Sequence, residues 1–525
     1  MQETMKPDGA PVGLGWVLTV VVATQFMVTL DASVVNVALP AVQSDLAFSE
    51  AGLLWVVNAY TLVFGGFLLL GGRAADLFGQ RRVLWLGLVL FGLASLAGGL
   101  AQEPWHLVAA RAMQGLGAAV LAPVALTIIT TVFPAGAPRA RALGLWSAAG
   151  AAGGAAGVLI GGLLTEYLDW RWVLLINVPI VALAAAGGRT VPGGGPRRDA
   201  RLDLVGAALA TAGLASLVYG VVRIGSDSLT SGATLGFLGA GVLLLAAFVA
   251  YEARRPEEPL VRLGLFAHRA LTGANLTMLL LAAGQFAAFY FVSLYLQQVL
   301  HYEPAAAGLA FLPFCVGFTT SAMLASRVIG RVSPRALVVG GTLVGALGLL
   351  WFSRIAVDGD FLSSVLGPSL VTSLGIGACF VPLTHAATAN VPTSDAGMAS
   401  GLLNSSQQVG GSLGLAVTVS VSSSRIDGLA ADGKAPLEAL TGGYGAALLA
   451  GAALLLAATP AAFVLPGRAR TEAPGDGDAV ADGEVAGSAV TPARRWRVLP
   501  RWWGGTRWWS SLLLGHRCSS CGCGG

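Results

Sequence analysis

Gly71-Gly72-Arg73-Ala74-Ala75-Asp76-Leu77-Phe78-Gly79-Gln80-Arg81-Arg82 stands between two long apolar runs. Such a stretch reads as a tight polar loop joining two membrane-spanning helices. Its three arginines put it on the cytoplasmic face, where loops keep their positive charge. Gly79 supplies a backbone free to turn, and Asp76 is left among cations at the end of a helix. A loop that only fixed topology would need the arginines alone. The ordered spacing Gly-x-x-x-Asp-x-x-Gly-x-Arg-Arg exceeds that requirement.

The rest of the chain agrees with a membrane setting. Of 525 residues, 55% are hydrophobic and 11% charged, against about a quarter charged in soluble domains. A helical span needs roughly 20 apolar residues. Fourteen runs of that size fall near 14–39, 52–72, 83–101, 106–131, 141–165, 171–189, 203–222, 233–252, 271–297, 305–326, 335–354, 362–382, 397–421 and 443–465. The expected fold is therefore an all-α polytopic membrane protein with 14 transmembrane helices. The first run is too long for a signal-peptide core and ends without a small-residue cleavage site, so it is expected to remain as helix 1. Many of the 72 glycines lie inside the runs, where small residues let helices approach closely.

Charge sets the orientation. Loops after even-numbered spans carry Arg73, Arg81 and Arg82, then Arg139 and Arg141, then Arg197, Arg198 and Arg201. They continue with Arg254, Arg255, Arg262 and Arg269, then Arg327 and Arg331. Alternate loops hold few cations, so both termini are expected in the cytoplasm. The inside loop near residues 390–395 has no basic residue.

The quoted loop resembles the signature between the second and third helices of the major facilitator superfamily. A degenerate echo, Arg327-Val328-Ile329-Gly330-Arg331-Val332-Ser333-Pro334-Arg335, can be laid on residues 73–81, with Gly330 where the earlier copy has Asp76. Together they imply two homologous six-helix halves around a midplane site. The expected division is a cytoplasmic N-terminus at 1–13, a first half at 14–189, and inserted helices 7 and 8 with their loops at 190–270. A second half at 271–465 and a disordered cytoplasmic tail at 466–525 complete it.

Asp31 lies deep in the first run, within Leu30-Asp31-Ala32-Ser33-Val34-Val35-Asn36-Val37-Ala38-Leu39-Pro40. An ionised carboxylate there is costly and usually functional; it would bind and release a proton. A hydrated residue near the outer interface is the alternative. The stretch is similar to the helix-1 motif of the fourteen-span drug:proton antiporters, with Ser33 at a position usually Thr. Arg111 sits about a turn inside the fourth run, and Gln114 lies on the same face. It must pair, meet carbonyls or line a wet cavity, unless it snorkels to the interface. Arg111-Ala112-Met113-Gln114-Gly115-Leu116-Gly117 resembles the superfamily's helix-4 motif, which implies that Arg111 tunes a nearby acid or takes part in proton transfer.

In helix 5, Gly153, Gly157 and Gly161 recur every fourth residue as a small-residue stripe, with Gly162 beside them. The pattern resembles the exporters' antiporter motif, except that Val158 replaces its proline and leaves the expected kink unsupported; plain helix packing accounts for the glycines equally. Trp170-Arg171-Trp172 and Asn177-Val178-Pro179 match a family stretch read as fold-keeping, with the aromatics as interfacial anchors. Asn404 and Gln408 share a face of helix 13, and with Asn36 and Gln114 are candidates for a cavity lining; Asn404 and Gln408 could equally be interhelical glue. Gln25, Asn58, Tyr60, Asn275, Gln285, Tyr290 and Tyr295 are weaker candidates.

Enzyme chemistry finds no support. The histidines at 106, 268, 301, 385 and 516 are scattered, and neither His-Glu-x-x-His nor a phosphate loop occurs. His516, Cys518, Cys521 and Cys523 are too cramped for a zinc site. The tail interleaves Arg and Trp at residues 494–509, a pattern that could lie on an anionic membrane. No cofactor, metal or nucleic-acid partner is implied. The resemblance implies a monomeric, multi-pass protein of the bacterial inner (plasma) membrane. It would exchange protons for hydrophobic or cationic small molecules by alternating access. Gly72, Arg73, Asp76, Gly79, Arg81 and Arg82 would gate the switch, and Asp31 with Arg111 would couple it to protons. Export of one specific metabolite, amino acid or siderophore is the alternative within transport; a sensor or membrane enzyme is the alternative outside it.

Overall fold

In lipid an apolar backbone has no water to bond, so long apolar runs must close their hydrogen bonds within themselves as helices. A computed structural model describes residues 14–134, 136–192, 203–226, 230–254, 260–329, 331–388, 391 and 396–465, without the side chains of 50, 51, 76, 140, 225, 226 and 396. All fourteen expected runs are helical: α1 (Leu14–Asp45), α2 (Glu50–Phe78), α3 (Gln80–Gly99), α4 (Pro104–Val132), α5 (Ala137–Tyr167), α6 (Trp172–Gly188) and α7 (Leu204–Ser226). They continue as α8 (Gly232–Ala253), α9 (Arg269–Val299), α10 (Pro304–Val328), α11 (Pro334–Phe352), α12 (Leu362–Thr388), α13 (Ala396–Ala431) and α14 (Pro436–Ala462). The described residues contain no strand.

Three departures from the sequence expectation have local causes. The quoted loop is almost wholly helical: α2 runs on to Phe78, α3 starts at Gln80, and Gly79 alone joins them at φ 86°. Only a residue without Cβ adopts that backbone readily, so one glycine does the work of a loop. The sixth span breaks at Ile176 into Trp172–Leu175 and Asn177–Gly188; Pro179 has no N–H for the carbonyl of Leu175. Twelve helices are long and apolar enough to cross a membrane, and α6 is shorter. The remaining helix, α13, is too polar to count among them because Asn404, Ser405, Ser406, Gln407 and Gln408 occupy one stretch of it.

Packing sorts the helices. In the first six, α1 lies on α5, and α4 is flanked by α2 and α3; in the last six, α9 lies on α13 and α14, and α12 on α10 and α11. Helices α7 and α8 pair with each other, and α7 rests where α2 meets α13. The other face of α8 exposes Leu235, Val242, Leu243 and Val249, an apolar surface suited to lipid. One end of the molecule carries the basic loops after α2, α4 and α10. Gly330, Arg197, Arg198, Arg201, Arg255, most of the 389–395 turn, the 466–525 tail and the Asp76 side chain lie outside the described residues.

Candidate functional site

Midway along α1, Asp31 is fully buried and holds three donors from three other places in the fold. Arg111 Nη1 of α4 donates to its Oδ2 at 2.6 Å; Gln114 Nε2 and Asn177 Nδ2 donate to its Oδ1 at 3.1 and 2.7 Å. Arg111, only 2% exposed, also donates through Nε to the Val56 carbonyl at 3.0 Å and through Nη1 to Gln114 Oε1 at 3.0 Å. Its guanidinium lies 4.4 Å from the centre of the Tyr60 ring. Gln114 is in turn bonded to Ser95 Oγ of α3 at 2.8 Å. Burying two charges costs several kcal/mol each, and only a pair with its remaining hydrogen bonds satisfied offsets that. This network satisfies the carboxylate from all sides.

The glycine stripe explains how α1 reaches this depth. A Cβ on Gly157 would stand 2.7 Å from the Leu30 carbonyl oxygen, and one on Gly161 2.6 Å from that of Val34. Gly153 faces Thr29 and Phe26 in the same way, while Gly162 faces the Pro304 backbone of α10. α5 runs unbroken through Val158, without the kink a proline would give.

Arg111 and Tyr60 form part of the wall of a cavity of about 750 Å³ between the two halves. Its lining combines aromatic Trp146, Phe286, Phe289 and Tyr290 with polar Gln25, Asn36, Gln285, Asn404, Gln407 and Gln408. It extends to Gly72, Arg73, Arg262 and Gly397 at the basic-loop end. At the other end the halves are joined. Ser293 Oγ donates to the Asn36 carbonyl at 2.8 Å, Gln297 Nε2 to the Val37 carbonyl at 2.9 Å, and Gln298 Nε2 to Gln43 Oε1 at 3.0 Å. The Ala305 N–H, at the start of α10, donates to Glu166 Oε2 at 2.9 Å. Nearer the middle, Thr61 and Ser412 hydroxyls meet at 2.6 Å. The molecule is thus open to one side only.

Of the residues singled out from sequence, Asp31, Arg111 and Gln114 come together, with Gln114 behind the cavity and Asn36, Asn404 and Gln408 on its wall. Among the weaker candidates, Gln25, Tyr60, Gln285 and Tyr290 line it. Asn58, Asn275 and Tyr295 instead bond the Ser412, Leu271 and Ala356 carbonyls. Gly72 and Arg73 reach the cavity mouth; Gly79 is the hinge, with Arg81 and Arg82 in the first turn of α3. Sequence reasoning missed Asn177 and Ser95 as partners of the carboxylate, and Phe286 and Phe289 as lining. Asn177 carried a signal, a polar residue two before a proline inside an apolar run.

The sequence model of the Major Facilitator Superfamily matches residues 21–415. Among curated relatives, the puromycin resistance protein of Streptomyces alboniger is 43% identical over 91% of this chain and 95% of its own length. The cephamycin export protein of Amycolatopsis lactamdurans is 44% identical over 87% and 94%, and the tetracenomycin C resistance and export protein of Streptomyces glaucescens 34% identical over 84% and 82%. Among solved structures, a bacterial homolog of the human lysosomal transporter Spinster, inward-facing and occupied, superposes with a TM-score of 0.64 at 17% identity. That match covers 87% of this chain and 97% of the other.

Proposed function

The chain belongs to the Major Facilitator Superfamily, and from that premise we propose that it is a proton-driven exporter of antibiotic-like small molecules. It is a multi-pass membrane protein of the bacterial membrane, a transporter and not an enzyme. In the proposed orientation the basic-loop end and both termini face the cytoplasm. The observation that carries the proposal is the Asp31–Arg111 pair standing at the wall of an amphipathic cavity. While Asp31 is ionised the pair is neutral, and the cavity admits a hydrophobic or cationic guest. A proton on Asp31 cancels the carboxylate and leaves Arg111 positive at the wall, which opposes a cation in the same space. Proton and substrate then exclude one another, which is the thermodynamic core of exchange. The state described takes substrate from the cytoplasm. Breaking the seal formed by Ser293, Gln297, Gln298 and Glu166 would release it outward, and the chain works as a monomer. By the sequence reading, Asp76 with Gly72, Arg73, Gly79, Arg81 and Arg82 governs the inward side of that switch.

A second reading keeps the mechanism and narrows the cargo to one compound, as the names of the cephamycin and tetracenomycin C relatives do for theirs. One experiment addresses both. Everted vesicles holding a pH gradient are challenged with a panel of lipophilic cations and antibiotics. Dissipation by several unrelated compounds, lost in Asp31→Asn, is expected for broad export. Dissipation by one compound alone selects the narrower reading, and dissipation that persists in Asp31→Asn removes Asp31 from the coupling step.

A further inference from the structure

Asn177 occupies the break in α6 and is fully buried. Its Nδ2 donates to Asp31 Oδ1 at 2.7 Å, while its own Oδ1 is buried with no hydrogen-bond partner among the described residues. A buried carbonyl oxygen left unbonded is costly. The other donors to the carboxylate are differently placed. Arg111 can only donate, whatever the state of Asp31. Gln114 has both ends engaged, its Oε1 by Arg111 and its Nε2 by Asp31 and Ser95. Asn177 alone keeps a spare acceptor beside the acid.

We infer that Asn177 is the residue that lets Asp31 occupy both protonation states in a dry site, by turning its carboxamide end for end. This rests on the proton-coupling reading above. With Asp31 ionised, the Asn177 NH2 donates to the carboxylate. When a proton from water forms the O–H bond on Asp31 Oδ1, that oxygen becomes a donor and its bond from Nδ2 is lost. Half a turn about the last side-chain bond brings Asn177 Oδ1 to accept the new O–H. No other atom is gained or lost. A carboxamide is suited to this because one end donates and the other accepts. The charged and titratable groups facing Asp31 are Arg111 from α4 and Tyr60 from α2; α3 and α6 bring only Ser95 and Asn177, and α5 brings its glycines.

The test uses Asn177→Leu, close in volume and unable to hydrogen-bond, in the full-length protein reconstituted in liposomes. Infrared difference titration, with Asp31→Asn as the blank, reads the protonation of Asp31 without any need for transport. Losing a donor to the ionised form makes the carboxyl hold its proton to higher pH. A hydrogen bond to a charged group corresponds to an alkaline shift in midpoint of about one unit or more. Drug-dependent proton flux is measured on the same samples, and its pH profile is expected to move the same way. A midpoint equal to wild type in Asn177→Leu overturns the inference. A shifted midpoint with no drug-dependent flux in wild type sustains it and instead removes the export reading. If Asn177→Leu does not reach the membrane, Asn177→Ser is titrated against the same criterion, since a hydroxyl one atom shorter forfeits the 2.7 Å contact.

Discussion

At the scale of single residues, Asp31 and Arg111 are worth more as a pair than their separate removal suggests. Deleting one partner of a buried ion pair strands the other charge and costs about 3–5 kcal/mol, whereas replacing both with neutral groups is often tolerated. Arg111→Gln alone is therefore expected to lower the thermal midpoint sharply. Arg111→Gln with Asp31→Asn is expected to recover most of it, because Gln114 and Asn177 can bond a neutral amide at position 31. Proton-linked flux would stay absent in the double variant. Thermal unfolding of the purified proteins in detergent checks this; equal destabilisation by the single and double changes would refute it. Position in an apolar run was enough to mark both residues as candidates. Their contact was not legible, since it joins residues 80 apart in the chain and depends on how α1 and α4 turn toward each other. Asn177 was read as part of a fold-keeping stretch for the same reason: what a buried amide touches is decided by neighbouring helices.

At the scale of elements, glycines and prolines determine where the site sits. Pro40 in α1 has no N–H for the Asn36 carbonyl, and Ser293 of α9 takes that carbonyl at 2.8 Å. A helix-1 proline thus supplies part of the seal between the halves. On α5 the two sides of the helix differ. A Cβ on Gly157 would crowd Ser33 and the Leu30 carbonyl, one residue from Asp31, whereas a Cβ on Gly154 would meet nothing within 4 Å. Gly157→Ala is expected to cost about 1–3 kcal/mol, as other overpacked interfaces do, and to disturb proton coupling. Gly154→Ala is expected to leave the thermal midpoint unchanged or slightly raised. Comparable losses in the two variants would mean that the stripe does not set the α1–α5 distance. The four-residue repeat made the stripe legible, but the partner helix and the intact course of α5 through Val158 belong to the packed structure.

Across the whole molecule, the closed end is held by a handful of hydrogen bonds between halves and the open end by none of comparable number along the cavity wall, so a small energy separates the two access states. Glu166, half-buried, accepts the Ala305 N–H at the start of α10. Removing it in Glu166→Ala is expected to weaken the seal by about 1 kcal/mol, roughly five-fold in the outward-open population. A single cysteine at position 36, in a chain otherwise free of cysteine, should then react faster with a membrane-impermeant maleimide added outside cells. An unchanged rate would show that Glu166 is not part of the barrier. The amino-acid sequence by itself determined that the chain is a bundle of fourteen helices and which loops are basic, because lipid forces apolar runs to be helical and hydropathy needs no partner to act. It also marked Asp31 and Arg111 as expensive to bury. Only the tertiary structure decided that they neutralise each other, that Asn177 joins them, and that the cavity opens at the basic-loop end. Each of those depends on side chains from separate helices meeting within about 3 Å, the reach of a hydrogen bond, and no periodicity along a single helix encodes such a meeting.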